Sequence, residues 1–145
     1  MRCTFCDNPA IKQRVIAKNT LAFSFLTNIP IVPGHILIVP RRCISKYGDL
    51  STDERVSIEK LRDEVTRALS LAFGTTGFNF AWNEGETAGQ GVPHFHLHIV
   101  PRKEGDSGIT EYEPRKFLYR PGSRAISPDT ELDDVTEIIK KHIKQ

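Results

Sequence analysis

Between Val92 and Val100 the chain alternates without a break: His94, His96 and His98 take one set of positions and Phe95, Leu97 and Ile99 the other. A period of two puts the two sets on opposite faces of a β-strand, so 92–100 is read as a strand with one face to bury and a row of imidazoles on the other. Same-face neighbours on a strand lie roughly 7 Å apart, close enough for one protonated ring to oppose protonation of the next. At least one ring is therefore expected to stay neutral near pH 7. A neutral imidazole is a nucleophile, a base or a metal ligand, and the residues alone leave all three uses open.

The remaining sequence supplies partners for that strand. Short apolar runs separated by turn residues predict strands at Val15–Ala17, Leu21–Leu26 and Ile36–Val39, the last following His35 and Pro33-Gly34. Ile36-Leu37-Ile38-Val39 is apolar on both faces, as a central strand covered on both sides must be. Ser51-Thr52-Asp53-Glu54 has the spacing of a capping box and predicts a helix start. Ile58, Leu61, Val65, Leu69 and Ala72 then fall on one helical face, and Gly74 suits the left-handed end. A strand is predicted over Gly77–Trp82, with Phe78 and Phe80 on one face, and the polar loop NEGETAGQG follows it. Lys103 to Arg124 is charged and turn-rich and reads as loop, with one short element near Phe117-Leu118-Tyr119. A closing helix is predicted from Pro128, capped by Ser127, with Leu132, Val135, Ile139 and Ile143 as its apolar stripe. No repeat or linker divides the sequence, so 1–145 is taken as a single domain.

Composition narrows the function. Hydrophobic residues at 39% and charged residues at 26% provide both a core and a solvated surface. Lys+Arg 20 against Asp+Glu 18 leaves a formal charge of +2, too balanced for stable nucleic-acid binding by counterion release. No apolar run approaches the roughly 18 residues of a membrane helix, and MRCTFCDNPA lacks a signal-peptide core, so no membrane partner and a cytoplasmic location are expected. Cys3, Cys6 and Cys43 are too few and too odd for a secreted disulfide scaffold. Cys3-x-x-Cys6 lets two sulfurs reach one ion; a thioredoxin-like role fits less well, because such motifs follow a strand and open a helix.

A His-x-His pair plus a third imidazole can also hold catalytic zinc. The preceding loop argues for phosphate instead. Gly85, Gly89 and Gly91 leave backbone N–H groups room to approach an oxyanion, and Asn83 and Gln90 add neutral amide donors. The lysine and hydroxyl of a phosphate-binding G-x-x-x-x-G-K-[ST] loop are missing, which excludes ordinary P-loop chemistry.

GHILIVP followed by NEGETAGQGVPHFHLHIVPR closely resembles the histidine triad family of nucleotide hydrolases and transferases, over Cys3 to Lys103. The resemblance implies an α+β fold: an antiparallel sheet of five strands with helices packed against it, paired with a second copy into a continuous sheet. It implies a purine nucleotide substrate. His96 is the implied nucleophile at the α-phosphorus, forming a covalent nucleotidyl-histidine that water releases as a nucleoside monophosphate. His98 is placed to contact the phosphate or protonate the leaving group, His35 is similar to the family's fourth active-site histidine, and Asn83 and Gln90 match amide positions at the phosphate. His98 stands where galactose-phosphate uridylyltransferases carry glutamine, which favours hydrolysis. The chain departs from the pattern at the ribose position, with Thr27 and Asn28 where an acidic or amide residue is usual. It departs again at Gly91, where a hydroxyl commonly follows the glutamine.

Many bacterial-type members hold a zinc ion with an N-terminal C-x-x-C, a histidine after the Pro-Lys/Arg stretch, and the first triad histidine. Cys43 stands here in place of that second-named histidine. The resemblance thus implies a closed structural zinc site of Cys3, Cys6, Cys43 and His94, and no organic cofactor. The function expected is hydrolysis of a dinucleoside polyphosphate or nucleoside phosphoramidate. The alternatives are a nucleotide-binding or interaction protein with little turnover, and a metal-dependent hydrolase. Phe5, Phe23 and Phe25 are candidates for the base pocket, and Arg115, Lys116 and Arg120 for contacts to a longer polyphosphate.

Overall fold

The computed structural model describes residues 3–110 and 125–143. Its elements are α1 (Thr4–Asp7), a 3-10 helix (Pro9–Arg14), β1 (Val15–Lys18), β2 (Ala22–Leu26), β3 (Ile36–Pro40), α2 (Thr52–Phe73), β4 (Gly77–Ala81), β5 (Leu97–Arg102) and α3 (Asp129–Lys140). All strand pairs are antiparallel, in the order β1-β2-β3-β5-β4. This is the α+β architecture expected. Among the described residues, no helix is long and apolar enough to cross a membrane.

β3 lies in the middle and is buried along its whole length. Ile36 and Ile38 face the main core with α2, while Leu37 and Val39 join Ile11 and Phe25 on the opposite face. In the register, Leu37 is opposite His98, so the imidazole side of β5 shares the face of Phe25 and Leu37. The other face is closed by α2 through Ile58, Leu61, Val65 and Leu69, as their spacing predicts, and Ala68 is buried with them. The capping box is complete: the Glu54 N–H donates to Ser51 Oγ at 3.1 Å, and the Ser51 N–H donates to Glu54 Oε1 at 2.8 Å. Gly74 ends the helix at φ 62°, where a glycine avoids the Cβ penalty.

Two expectations need correction. The strand expected over 92–100 begins only at Leu97. Its neighbour β3 ends at Pro40, which has no N–H to continue a ladder. The backbone before Leu97 is committed elsewhere: the Phe95 N–H donates to the Ile44 carbonyl, and the His94 carbonyl accepts from a side chain. At the closing helix, Pro128 itself occupies the cap position in extended conformation, without a side-chain cap. Ser127 instead donates its N–H to the Asn28 carbonyl, and Asp129 and Glu131 supply negative charge to the first turn. The short element expected near 117–119 lies outside the described residues.

The start of α2 makes stability depend on pH. Paired hydrogen bonds from Arg42, at 3.1 and 2.7 Å, hold the buried Glu54 carboxyl down to about 2. Folding therefore depresses this pKa from an ordinary value of ~4.3, and the stabilisation, full above that value, is lost as the pH falls through the folded pKa. Glu54→Gln is expected to flatten the loss of stability between about pH 4.5 and 2. Ser51→Ala is expected to cost ~1 kcal/mol at neutral pH. Urea unfolding across pH reads both.

Candidate active site

The site lies where β5 meets the loop before β3. The backbone N–H of Ile31 donates to His35 Nδ1 at 3.0 Å, so this ring carries its hydrogen on Nε2. That Nε2–H points at His98 Nδ1, 2.9 Å away. His98 Nδ1 is then the acceptor and its Nε2 carries the hydrogen. Assigned through this network, both tautomers follow from one backbone N–H.

His96 is set the opposite way. Its Nδ1–H donates to the His94 carbonyl at 2.8 Å, leaving the lone pair on Nε2. The His96 and His98 rings are 5.0 Å apart between centroids, and both side chains are buried. Burial pushes His96 below the ordinary histidine range, against the pull of its bond to the His94 carbonyl, so the neutral ring is favoured. A bare imidazole nitrogen thus lies beside an imidazole N–H, an arrangement suited to attack and hydrogen-bond donation at one centre.

His94 stands apart from this pair. Its Nε2–H donates to the Pro40 carbonyl at 2.7 Å, which turns the bare Nδ1 toward Cys3 Sγ at 3.2 Å and Cys6 Sγ at 3.7 Å. Burial lowers its pKa despite the opposing bond to Pro40. The ligand atoms of Cys3, Cys6, Cys43 and His94 all lie within 4.8 Å of one another. Burial pushes the Cys43 thiol up to about 12, reinforced by its hydrogen bond and proximity to Cys3. Burial and Cys3 likewise raise Cys6, whereas hydrogen bonds from Cys43 and Cys6 outweigh burial and lower Cys3. A soft cation would let the thiols ionise, and three sulfurs with one imidazole nitrogen are a donor set that fits zinc.

The loop residues divide. Asn83 is 7% exposed, and its Nδ2 has no hydrogen-bond partner among the described residues. A buried amide donor left over in this way is suited to an incoming oxygen. Gln90 is already engaged: Oε1 accepts from the Gly85 N–H at 2.8 Å, and Nε2 donates to the Ser45 carbonyl at 3.0 Å. It staples the loop to the chain after β3. Gly91 is exposed. Thr27 follows β2 and is buried, with Oγ1 accepting from the Ile29 N–H at 3.3 Å, while Asn28 is half-buried. Phe5 packs edge-on against both His96, at 5.1 Å, and Phe25, at 5.4 Å. The Ile31 N–H and the Ser45 contacts had no signal in the sequence, because backbone groups carry none. Arg115, Lys116 and Arg120 lie outside the described residues.

The HIT domain family matches residues 8–105. The chain belongs to this family. It is 32% identical to adenosine 5'-monophosphoramidase of Schizosaccharomyces pombe, with 99% of this chain and 100% of that protein covered. It is 33% identical to bis(5'-adenosyl)-triphosphatase of Dictyostelium discoideum, with 73% and 72% covered. In fold it matches a hypothetical histidine triad nucleotide-binding protein of Sulfolobus tokodaii at TM-score 0.77 and 23% identity, covering 97% of this chain and 91% of that one.

The tautomers of this HIT protein can be read directly. Long-range proton–nitrogen spectra of ¹⁵N-labelled protein at neutral pH are expected to show hydrogen on Nε2 of His35 and His98 and on Nδ1 of His96. Reversal at His96 would remove the bare Nε2 from the site.

Proposed function

We propose that this HIT protein is a nucleotidyl hydrolase acting on dinucleoside polyphosphates or nucleoside phosphoramidates, releasing a purine nucleoside monophosphate through a nucleotide held covalently on His96. The observation that carries this reading is the bond from His96 Nδ1 to the His94 carbonyl, which leaves a buried, neutral Nε2 beside His98. The names of the phosphoramidase and triphosphatase relatives support the substrate classes.

In the first step, the His96 Nε2 lone pair attacks the α-phosphorus in line, and the bond from phosphorus to the leaving oxygen or nitrogen breaks. The leaving group departs with the electron pair of the broken bond, held by a hydrogen bond from the Nε2–H of His98, and takes its proton from solvent, while the Nε2–H of His35 stays directed at His98 Nδ1. The positive charge on the substituted His96 ring is stabilised by its Nδ1–H bond to the His94 carbonyl. Asn83 Nδ2 and the N–H groups of the glycine loop, Gly91 among them, are the proposed donors to the phosphate oxygens, with Gln90 holding the loop's shape. Thr27 and Asn28 are assigned to the ribose side. In the second step water attacks phosphorus, the P–N bond electrons return to His96 Nε2, and the water's proton is released to solvent.

Cys3, Cys6, Cys43 and His94 would hold zinc as a closed four-ligand site, giving structural support without an open coordination position. A second copy of the chain is the proposed partner at β4. This strand ends the sheet order, and Phe80 and the adjacent Trp82 are 43% and 41% exposed. A dimeric mass by light scattering, lost in Phe80→Glu, is expected.

Incubation with diadenosine polyphosphate or adenosine phosphoramidate should release AMP, and His96→Ala should reduce the rate by at least about 10³-fold. Binding without release would favour a nucleotide-binding protein. The same preparation should carry about one zinc per chain, lost in Cys43→Ala. AMP release should survive minutes of chelation, whereas rapid loss would favour a metal-dependent hydrolase.

A further inference from the structure

The Ile31 N–H that sets two imidazole tautomers belongs to a turn, which is closed where the His35 N–H donates to the Val32 carbonyl at 3.1 Å. Ile31 and Val32 are buried against Val100, with Ile109 packed beside them. Gly108 lies directly over the pair. A methyl group placed on it would come within 2.6 Å of Val32 Cγ1, 3.0 Å of Ile31 Cγ2 and 3.1 Å of the Ile31 carbonyl oxygen. Such an approach is open only to a residue without a side chain. Val32 and Pro33 also border a cavity of about 400 Å³ shared with Gly105, Asp106 and Ser107, so packing on that side is open and the contact with Gly108 carries the restraint.

Gly108 is itself tethered. Arg102, at the end of β5, donates Nε and Nη2 to the Asp106 carboxylate at 2.9 and 2.7 Å, and Nη1 to the Ile109 carbonyl at 2.9 Å. The same carboxylate accepts from the Lys103 N–H at 3.2 Å and from the Gly108 N–H at 3.0 Å. A bidentate ion pair with these backbone bonds fixes residues 102–109 as one loop and presses Gly108 onto the turn.

The turn reaches the site through tautomers. His35 Nδ1 stays bare because the Ile31 N–H points at it. Once that peptide swings away, the His35 hydrogen is free to move to Nδ1. His35 Nε2 then becomes an acceptor facing His98 Nδ1 and draws the His98 hydrogen onto that nitrogen. The Nε2–H of His98 is lost from the site.

We propose that Asp106 and Gly108 are positioning residues for His98: the Arg102–Asp106 pair seats Gly108 on Ile31 and Val32, and that contact keeps the Ile31 N–H on His35 Nδ1. The catalytic consequence rests on the hydrolase reading, in which the Nε2–H of His98 holds the leaving group. The positioning itself does not.

Two variants test it by ¹⁵N spectra and by turnover. In Gly108→Ala and in Asp106→Asn, the His98 nitrogen signals at neutral pH should move toward the form with hydrogen on Nδ1, while those of His96 stay put. AMP release should fall about tenfold in kcat with KM unchanged. Adding Val32→Ala to Gly108→Ala removes the Cγ1 that the new methyl meets, and should restore both readings. The capping variant Ser51→Ala, destabilised through α2, should alter neither. Unmoved His98 signals in the folded variants, no recovery in the double variant, or an equal shift in Ser51→Ala overturns the proposal. Should Gly108→Ala fail to fold, Asp106→Asn decides. A parent protein that releases no AMP counts against the hydrolase reading alone, and the His98 spectra then decide the positioning by themselves.

Discussion

The hydrogen bond from His96 Nδ1 to the carbonyl of His94 is the contact on which the site depends. It selects the tautomer, aims Nε2, and offers an acceptor for the charge that any bond to Nε2 creates in the ring. A carbonyl is useful here only if it stays still. The His94 ring is tied to Pro40 and directed at the thiols, and the next N–H, from Phe95, is bonded to Ile44. Three attachments thus fix one peptide unit, and the geometry of His96 follows.

The same peptide unit explains why the strand is shorter than its alternation suggests. A regular ladder through residue 94 would direct its carbonyl to a neighbouring strand and leave His96 Nδ1 without this acceptor. Pairing of β5 with β3 runs from Ile99 opposite Ile36 to Leu97 opposite Ile38 and goes no further toward residue 94. Local irregularity at the end of a rigid sheet therefore supplies the acceptor, while β3 beneath carries the packing cost on both faces.

What the sequence made legible was periodic or chemically marked. The apolar row of α2, the Ser51–Glu54 box, Gly74 and the two-faced β3 each declare a local physical requirement, and each appears where expected. The grouping of Cys3, Cys6, Cys43 and His94 was available only through resemblance, because residues so far apart in sequence meet through tertiary packing. Other features were hidden for a different reason. Gln90 looked like a phosphate donor, yet its amide is bound to backbone groups at Gly85 and Ser45 that any residue types would present. Pro128 suited the first helical turn by its fixed φ, but its ψ of 145° places it outside the helix. The Ile31 N–H that orients two imidazoles is equally invisible in a string of side chains.

The separation of His94 from His96 and His98 divides two kinds of chemistry across one short segment. His94 gives a nitrogen to the thiols and a carbonyl to His96, so its ring and its backbone serve different neighbours. A metal held by all four donors would have no open position and would act on phosphate only through the rigidity it lends that carbonyl. The phosphate-facing groups would then be uncharged imidazole, imidazole N–H, amide and backbone N–H. Neutral donors of this kind favour charge that develops during bond breaking, and they hold a departing mononucleotide less strongly than fixed cations do.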